Sequence, residues 1–235
     1  MSNHLKRLAA PRSWPIEKKA STWITKQCPG THSIDESLPV SMILRDILKV
    51  CDTAREAKRI VGNRRLMIDG RPVRSVKTPV GLMDVVSIPL MEIHCRIMLT
   101  DKGKLTAIPI PKDDALWKLC LIENKTKVKK EKIQVNLHDG KNILINENEY
   151  RVGDVLKISV PDQKIIELYE LKKGASVLVR KGRHAGKIAV VDEYTTTKST
   201  SSNVVKFTDG TETIKDNVFV IGNEELAVKL PEAST

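Results

Sequence analysis

Residues 40–75 read VSMILRDILKVCDTAREAKRIVGNRRLMIDGRPVRS, and the spacing of the apolar residues predicts a short helix at the start of this stretch. Ser41 would cap this helix, because a serine hydroxyl can accept a hydrogen bond from an unpaired backbone amide. The positions predicted to face inward have helical spacing: Ile43, Leu44, Ile47 and Leu48. Arg45 and Lys49, four residues apart, would then lie together on the opposite side of the helix.

A second helix is predicted from Thr53, because Thr53 and Glu56 stand three residues apart as in a capping box. Gly62 is a natural end for this helix. The positions predicted to face inward are Ala54, Ala57, Ile60 and Val61. The outward face carries three cations that helical spacing makes neighbours: Arg55, Lys58 and Arg59.

A hairpin is predicted next, with a strand at Leu66–Ile68, a turn at Asp69-Gly70 and a return strand from Val73. Cations surround it, and they are Arg64, Arg65, Arg71 and Arg74. Residues 41–89 hold ten Lys/Arg against five Asp/Glu. The planar guanidinium group binds phosphate oxygens through two parallel hydrogen bonds, so this clustering favours RNA binding. The alternative interpretation is a charged face that only keeps the surface hydrated.

The run TAREAKRI, a following strand, DGRPV and then PVGLMDVVSI closely resemble the alpha-L motif, a small RNA-binding module. In that family the helix pair and the hairpin dock on structured RNA. The resemblance therefore implies an alpha-L RNA-binding module over residues 40–89.

The composition favours a polyanionic partner, because the net charge is +11 and the pI is about 9.5. We see no amphipathic basic helix, no membrane-length apolar run and no secretory signal, so we expect a cytoplasmic protein without a membrane partner. None of the four cysteines has a second cysteine at zinc-knuckle spacing, and we expect no metal or other cofactor.

Residues 1–39 are predicted to form a basic extended arm, because prolines at 11, 15, 29 and 39 prevent a long helix. The candidate RNA-binding residues of the arm are Lys6, Arg7, Arg12, Lys18 and Lys19, and they alternate with Trp14 and Trp23. Such an arm can place its cations on phosphates and a tryptophan on a base. The alternative is a tail whose tryptophans pack on the chain's own domain.

Residues 90–170 read as short strands separated by turn signals at roughly even spacing, which predicts a β-rich central domain. A lysine cluster at 125–132 is equally consistent with a phosphate contact and with a hydrated strand edge.

Residues 171–235 contain GASVLVRKGRHAGKIAVVDEY, which resembles the KOW motif of small SH3-like barrels, and they end in a loose tail. Gly182 and Gly186 would let the backbone approach a phosphate, with Lys181, Arg183 and Lys187 beside it. A P-loop is excluded, because the spacing is one residue short and Ile188 replaces the magnesium-binding hydroxyl.

HLKRLAAPRSWPI and PG-x-H, together with the later segments, resemble ribosomal small-subunit protein four of archaea and eukaryotes, the "e" type. Thr31 stands where that family usually has proline. The resemblance implies an α+β, multidomain chain with an extended N-terminal arm (1–39), an alpha-L RNA-binding module with its helix pair plus hairpin (40–89), a β-rich central domain (90–170) and an SH3-like KOW β-barrel (171–235).

The expected function is that of a structural constituent of the small ribosomal subunit, with small-subunit rRNA and neighbouring ribosomal proteins as partners. We expect no catalytic residues and no small-molecule substrate, because no nucleophile–base pairing is visible in the sequence. The alternatives are a free-standing KOW-type transcription or translation factor and the accessory domain of an RNA-modifying enzyme.

Overall fold

The computed structural model of the chain describes residues 4–17, 19–128, 132–197, 200, 202–223 and 226–230. Lys18 of the arm, Lys129 and Lys130 of the lysine cluster and residues 231–235 of the tail lie outside these ranges. Strands predominate, and helices are few in the described part. None of its helices combines the length and the apolar character needed to span a membrane.

The described residues form two compact units. The first contains the residues up to Thr100 together with Lys104–Lys118, and the second contains Asp101–Gly103 and Leu119–Leu230. This division is coarser than the four predicted modules, which remain a prediction.

The first unit contains nine strands among the described residues. These are β1 Leu5–Lys6, β2 Trp23–Ile24, β3 Ser37–Pro39, β4 Met67–Ile68, β5 Arg71–Pro72, β6 Pro79–Gly81, β7 Val85–Ile88, β8 Ile93–Leu99 and β9 Leu105–Pro109. Its helical elements are α1 Val40–Met42, a π-helical turn at Ile43–Ile47, α2 Ala54–Gly62, and 3-10 turns at Arg7–Ala9, Ile34–Glu36, Pro89–Met91 and Asp114–Leu116.

Strands β5-β4-β7-β8-β9 form one antiparallel sheet in that order, and β1-β2 and β3-β6 form two small ladders. Because β7 pairs with β8, this sheet continues across the boundary expected between residues 89 and 90. Its buried side chains include Val85, Val86, Ile97 and Met98.

The predicted first helix is present, but Ser41 does not cap it. Pro39 occupies the N-cap position, and the amides of Val40 and Ser41 donate to the carbonyls of Thr78 and Val76 at 3.1 and 3.0 Å. The neighbouring strand region therefore satisfies the amides that a serine cap would have served. The Ser41 hydroxyl is buried and has no hydrogen-bond partner in the described structure.

The capping box that begins α2 is confirmed. The amide of Glu56 donates to the Thr53 hydroxyl at 3.3 Å, and the Glu56 carboxylate accepts from the Thr53 amide at 3.2 Å. Ala57 and Val61 face the core as predicted, whereas Ala54 is exposed. Helix α2 therefore buries a narrower face than predicted, and more of its surface is available to a partner.

The hairpin predicted at Asp69-Gly70 is also confirmed. Both residues have positive φ, at 49° and 68°, which is the geometry of a type I′ turn. The turn pairs Ile68 with Arg71 and Met67 with Pro72, so the return strand begins two residues before the predicted Val73.

The second unit is built from strands with one 3-10 turn in the described residues. The strands are β10 Trp117–Lys127, which starts in the first unit, β11 Ile133–Leu137, β12 Asn142–Ile145, β13 Val155–Ser159, β14 Ile165–Tyr169, β15 Ser176–Val179, β16 Ile188–Thr195, β17 Val204–Phe207, β18 Glu212–Ile214 and β19 Val218–Gly222; the turn is Lys215–Asn217. They form two five-stranded sheets with the orders β12-β11-β10-β13-β14 and β18-β17-β16-β15-β19.

The loop that joins β15 to β16 has the local geometry that its glycines require. Gly182 and Gly186 have φ values of 92° and 91°, and the Gly186 amide donates to the Val179 carbonyl at 2.8 Å. Residues with side chains rarely adopt this backbone conformation. The two glycines therefore fix the path of the basic loop.

Gly182→Ala should destabilise the second unit by about 1–2 kcal/mol, because alanine must adopt the φ of 92° at this position. The added Cβ would meet only Asn217 at 3.4 Å, so strain in the backbone and not a clash is the cause. The measurement is a chemical denaturation curve. Gly62→Ala is the matched control, because its added Cβ would meet no described atom outside its own helix within 4 Å and its φ is not positive. Equal midpoints for the two variants would contradict the prediction.

Candidate nucleic-acid interface

The acidic side chains of residues 41–89 are mostly engaged within the chain itself. Asp46 accepts two hydrogen bonds from the Arg45 guanidinium at 2.7 and 2.9 Å. Glu56 accepts from the amides of Asp52 and Thr53 at 3.0 and 3.2 Å, and these hydrogen bonds lower the pKa of its carboxyl group. Asp52 keeps an exposed position without a salt bridge to any described residue.

The other two acids of this region, Asp69 and Asp84, are buried in an ionic network. The Lys118 ammonium group lies 2.6 Å from the Asp69 carboxylate and 2.9 Å from the Asp84 carboxylate. His32 Nε2 lies 2.9 Å from the second oxygen of Asp84, which also accepts from the Gly81 amide at 2.9 Å. Asp69 in addition accepts from the Val85 amide at 3.2 Å.

The pKa of Asp84 shows which effect dominates in this network. Burial alone would raise the pKa, but the attraction of Lys118 and His32, together with hydrogen bonds from His32 and the Gly81 amide, outweighs it. The pKa of Asp84 is consequently held well below its usual range. The carboxylate therefore stays charged and faces inward, away from any partner.

The predicted cations of the same region are on the surface. Eight of them are exposed and form no salt bridge with a described residue: Lys49, Arg55, Lys58, Arg59, Arg64, Arg65, Arg71 and Arg74. Arg45 is the exception, because it is half-buried and held by Asp46. Because two of the five acids, Asp69 and Asp84, are buried, the exposed surface of 41–89 is more positive than its composition indicates.

The backbone brings several of these cations to the C-terminal end of α2. Arg64 adopts a positive φ of 54°, and its amide donates to the Val61 carbonyl, so the chain turns sharply there. Arg71 pairs with Ile68 beside the hairpin turn. The arrangement presents guanidinium groups from a helix face, a helix end and a hairpin, a pattern suited to the phosphates of folded RNA.

The N-terminal segment belongs to the first unit, and the predicted arm residues in it fall into two groups. Arg7 donates to the carbonyls of Glu17 and Ile16 at 3.1 and 2.6 Å, and so serves the arm's own structure. Trp14 is 2% exposed, which fits the alternative in which a tryptophan packs on the chain itself. Trp23 is 56% exposed.

Lys6, Arg12 and Lys19 are exposed, as a phosphate-binding role requires. His32 fixes the segment through its bond to Asp84 and fits closely against Gly81, where an added Cβ would collide with its ring. The PG-x-H motif is therefore an attachment point between the arm and the residues that follow it.

The basic loop between β15 and β16 places Lys181, Gly182 and Arg183 on the surface. Lys187 is half-buried and forms a salt bridge with Asp209 at 3.0 Å, and Gly186 is buried. The structure therefore leaves the first half of the loop more accessible to a phosphate than the second half.

Profiles of two known families match the chain. The Ribosomal family S4e matches residues 91–165, and the RS4NT (NUC023) domain matches residues 1–35. The small ribosomal subunit protein eS4 of Methanothermobacter thermautotrophicus is 44% identical over 232 residues, which cover 97% of this chain and 96% of that protein. The chain belongs to the ribosomal S4e family.

Other S4e proteins agree with this assignment. The eS4 protein of Methanocaldococcus jannaschii is 41% identical over 239 residues, with 97% of each chain covered. The crystal structure of the 30S ribosomal protein S4e from Thermoplasma acidophilum is 35% identical, with a TM-score of 0.71, and covers 80% of this chain and 96% of that chain. The predominantly β fold is thus shared with an S4e structure.

Two buried cations of this S4e chain were not predicted from the sequence. Lys118 is the single charged residue of the apolar run ALWKLCLI, and its place within an apolar run is the signal that could have predicted its burial. Arg96 donates to the carbonyls of Asp114 and Trp117, both at 2.8 Å, and lies 4.1 Å from the centre of the Trp117 ring. Burial lowers the pKa of Arg96 to about 10. Both cations hold the fold together and are not available to RNA.

Proposed function

We propose that this S4e family member is a structural constituent of the small ribosomal subunit that binds rRNA through basic surfaces and supports translation. The observation that carries the proposal is the distribution of charge in residues 41–89, where two of the five acids are buried, two more are held by hydrogen bonds and eight of the predicted cations are exposed. Relatives that cover nearly the whole chain are small ribosomal subunit proteins. The proposed partners are small-subunit rRNA and neighbouring ribosomal proteins, and the proposed location is the cytoplasmic ribosome.

The proposed RNA contacts belong to three modules. The first is the arm at 1–39, and the second is an alpha-L module at 40–89. The third is an SH3-like KOW barrel at 171–235, supported by the sheet order β18-β17-β16-β15-β19 around the basic loop. A β-rich central domain at 90–170 separates the second from the third.

The mechanism is binding through many phosphate contacts. Each exposed lysine or arginine that neutralises a phosphate releases counterions, so the affinity falls steeply as salt rises. Double-stranded RNA is recognised mainly by shape and backbone, which suits cations spread over a helix and a hairpin. Contacts at separate modules on one RNA reinforce one another, because the first contact raises the effective concentration of the others.

The proposal contains no catalytic step and no cofactor. The relatives are named as ribosomal proteins, and the charged residues buried in the first unit hold one another and the backbone. Those residues therefore have a structural explanation that requires no substrate.

Sedimentation of a cell lysate on sucrose gradients at low and moderate salt tests the proposal. We expect the chain to migrate with small subunits and to remain there at moderate salt, because many phosphate contacts must break together for release. A peak at the top of the gradient, or migration with RNA polymerase, would contradict the ribosomal role and favour a free factor.

A further inference from the structure

A cleft of about 500 Å³ lies in the first unit, within the range of about 300–1,000 Å³ that accommodates small ligands. One wall comes from the N-terminal segment and includes Glu17 and Trp23. The opposite wall comes from α1, the π-helical turn and the residues just after it, and it includes Met42, Arg45 and Lys49. The proposed contacts of α2 and of the basic loop do not use this cleft.

Trp23 gives the cleft an exposed aromatic surface. The other two tryptophans differ from it, because Trp14 is buried and Trp117 lies half-buried against Arg96. The Lys6 ammonium group lies 5.6 Å from the centre of the Trp23 ring, which brings a cation next to the aromatic surface. An aromatic ring with an adjacent cation is the combination that binds an unpaired base and its phosphate.

The opposite wall adds a second exposed cation. Lys49 follows the π-helical turn with a positive φ of 50° and forms no salt bridge with a described residue. Asp46 also lines the cleft, but its carboxylate is held by Arg45 at 2.7 and 2.9 Å. The charges of the lining residues Glu17, Arg45, Asp46 and Lys49 cancel, so it is Lys6, beside the Trp23 ring, that gives the site a net positive charge for an anionic ligand with a flat apolar part.

We propose that this cleft binds one unpaired nucleotide of RNA, with the base against Trp23 and the phosphates near Lys6 and Lys49. The inference rests on the proposed function, because it takes the RNA to be the ribosomal partner. A protein segment is the competing occupant. An exposed aromatic ring with Lys6 beside it and Lys49 on the cleft wall fits a nucleotide better, because the ring offers a flat surface for the base and the lysines offer cations for the phosphates.

Glu17 gives the cleft a preference among bases. Its carboxylate is exposed, accepts only, and forms no salt bridge with a described residue. Exocyclic amino groups of adenine, cytosine and guanine can donate to it, whereas uracil has no such group. We therefore expect oligonucleotides of adenosine or cytidine to bind more tightly than those of uridine, and Glu17→Gln to reduce the difference.

Fluorescence and anisotropy titrations of the full chain with six-nucleotide single-stranded A, C and U oligomers test the inference. We expect the oligomers to quench tryptophan fluorescence, and Trp23→Phe to remove most of the quenching while the oligomer still binds. Trp23→Ala should weaken binding by about tenfold. Lys49→Gln, a change at an exposed side chain, should weaken it as well. Wild-type affinity in both Trp23→Ala and Lys49→Gln would overturn the inference.

A folded transcript of small-subunit rRNA separates this inference from the proposed function. If the chain binds the transcript but the oligomers neither bind nor quench, the cleft is not a nucleotide site and the proposed function stands. If neither RNA binds, both fail. In assembled subunits, a photoreactive p-benzoylphenylalanine in place of Trp23 should crosslink to rRNA. Crosslinking to a ribosomal protein instead would overturn the inference in favour of the peptide.

Discussion

Replacing Lys118 with methionine should lower the free energy of unfolding of the first unit by about 3–5 kcal/mol. The variant keeps a side chain of similar length but removes the cation that lies between the carboxylates of Asp69 and Asp84. Both carboxylates are buried, so removal of Lys118 leaves two like charges together and poorly solvated. Either an acid must take up a proton or water must enter, and each response costs stability.

Chemical denaturation followed by tryptophan fluorescence measures this effect, because Trp14 and Trp117 both lie in the first unit. Arg45→Met is the matched control within the first unit. It breaks a salt bridge with Asp46 of comparable length, 2.7 Å, but the Arg45 side chain is 39% exposed. The control should unfold at the wild-type midpoint. If Lys118→Met also unfolded at the wild-type midpoint, the ionic network of Lys118, Asp69 and Asp84 would not be an important source of stability.

Changing Arg55, Arg59, Arg64 and Arg65 together to alanine should weaken binding to a small-subunit rRNA transcript on the order of 100-fold at moderate salt. All four are exposed and form no salt bridge with a described residue, so the fold should keep its melting temperature. Fewer phosphate contacts also mean fewer released counterions. The slope of log affinity against log salt should therefore become less steep by about three.

A control with the same loss of charge distinguishes this surface from charge in general. Lys102, Lys104, Lys112 and Lys164 are exposed and lie in residues 90–170, outside the three modules proposed to contact RNA, and their replacement by alanine also removes four positive charges. Gel-shift titrations at three salt concentrations compare the two variants. An equal loss of affinity in both variants would show that α2 and its C-terminal end are not a specific docking surface.

Local signals predicted a large part of the first unit correctly. The capping box at Thr53 and Glu56 and the turn at Asp69-Gly70 depend on residues close together in the sequence, and both are present as predicted. The exposure of the α2 cations also followed from helical spacing. Features of this kind are determined within a few residues, so a single sequence is enough to predict them.

Contacts between distant residues were not predictable in the same way. Ser41 failed as a cap because residues 76 and 78 supply the acceptors, and their carbonyls are in reach only after the chain has folded. In the buried ionic network, Lys118 contacts Asp84, which lies 34 positions earlier in the sequence, and Asp69, which lies 49 positions earlier. The RNA-binding role of individual cations remains a prediction, because the sequence shows charge but not which surface meets the RNA.

The turn at Asp69-Gly70 illustrates how a distant contact can restrict which substitutions a position tolerates. Asparagine before glycine forms a type I′ turn as readily as aspartate does, so the hairpin alone would accept either residue. Lys118, however, needs a carboxylate at position 69, and the neutral amide of asparagine would leave that ammonium group with less compensating charge. Selection at position 69 should therefore preserve the negative charge that balances the buried Lys118, 49 residues later in the sequence, and not the shape of the turn. An Asp69→Asn chain would retain the hairpin and still lose stability.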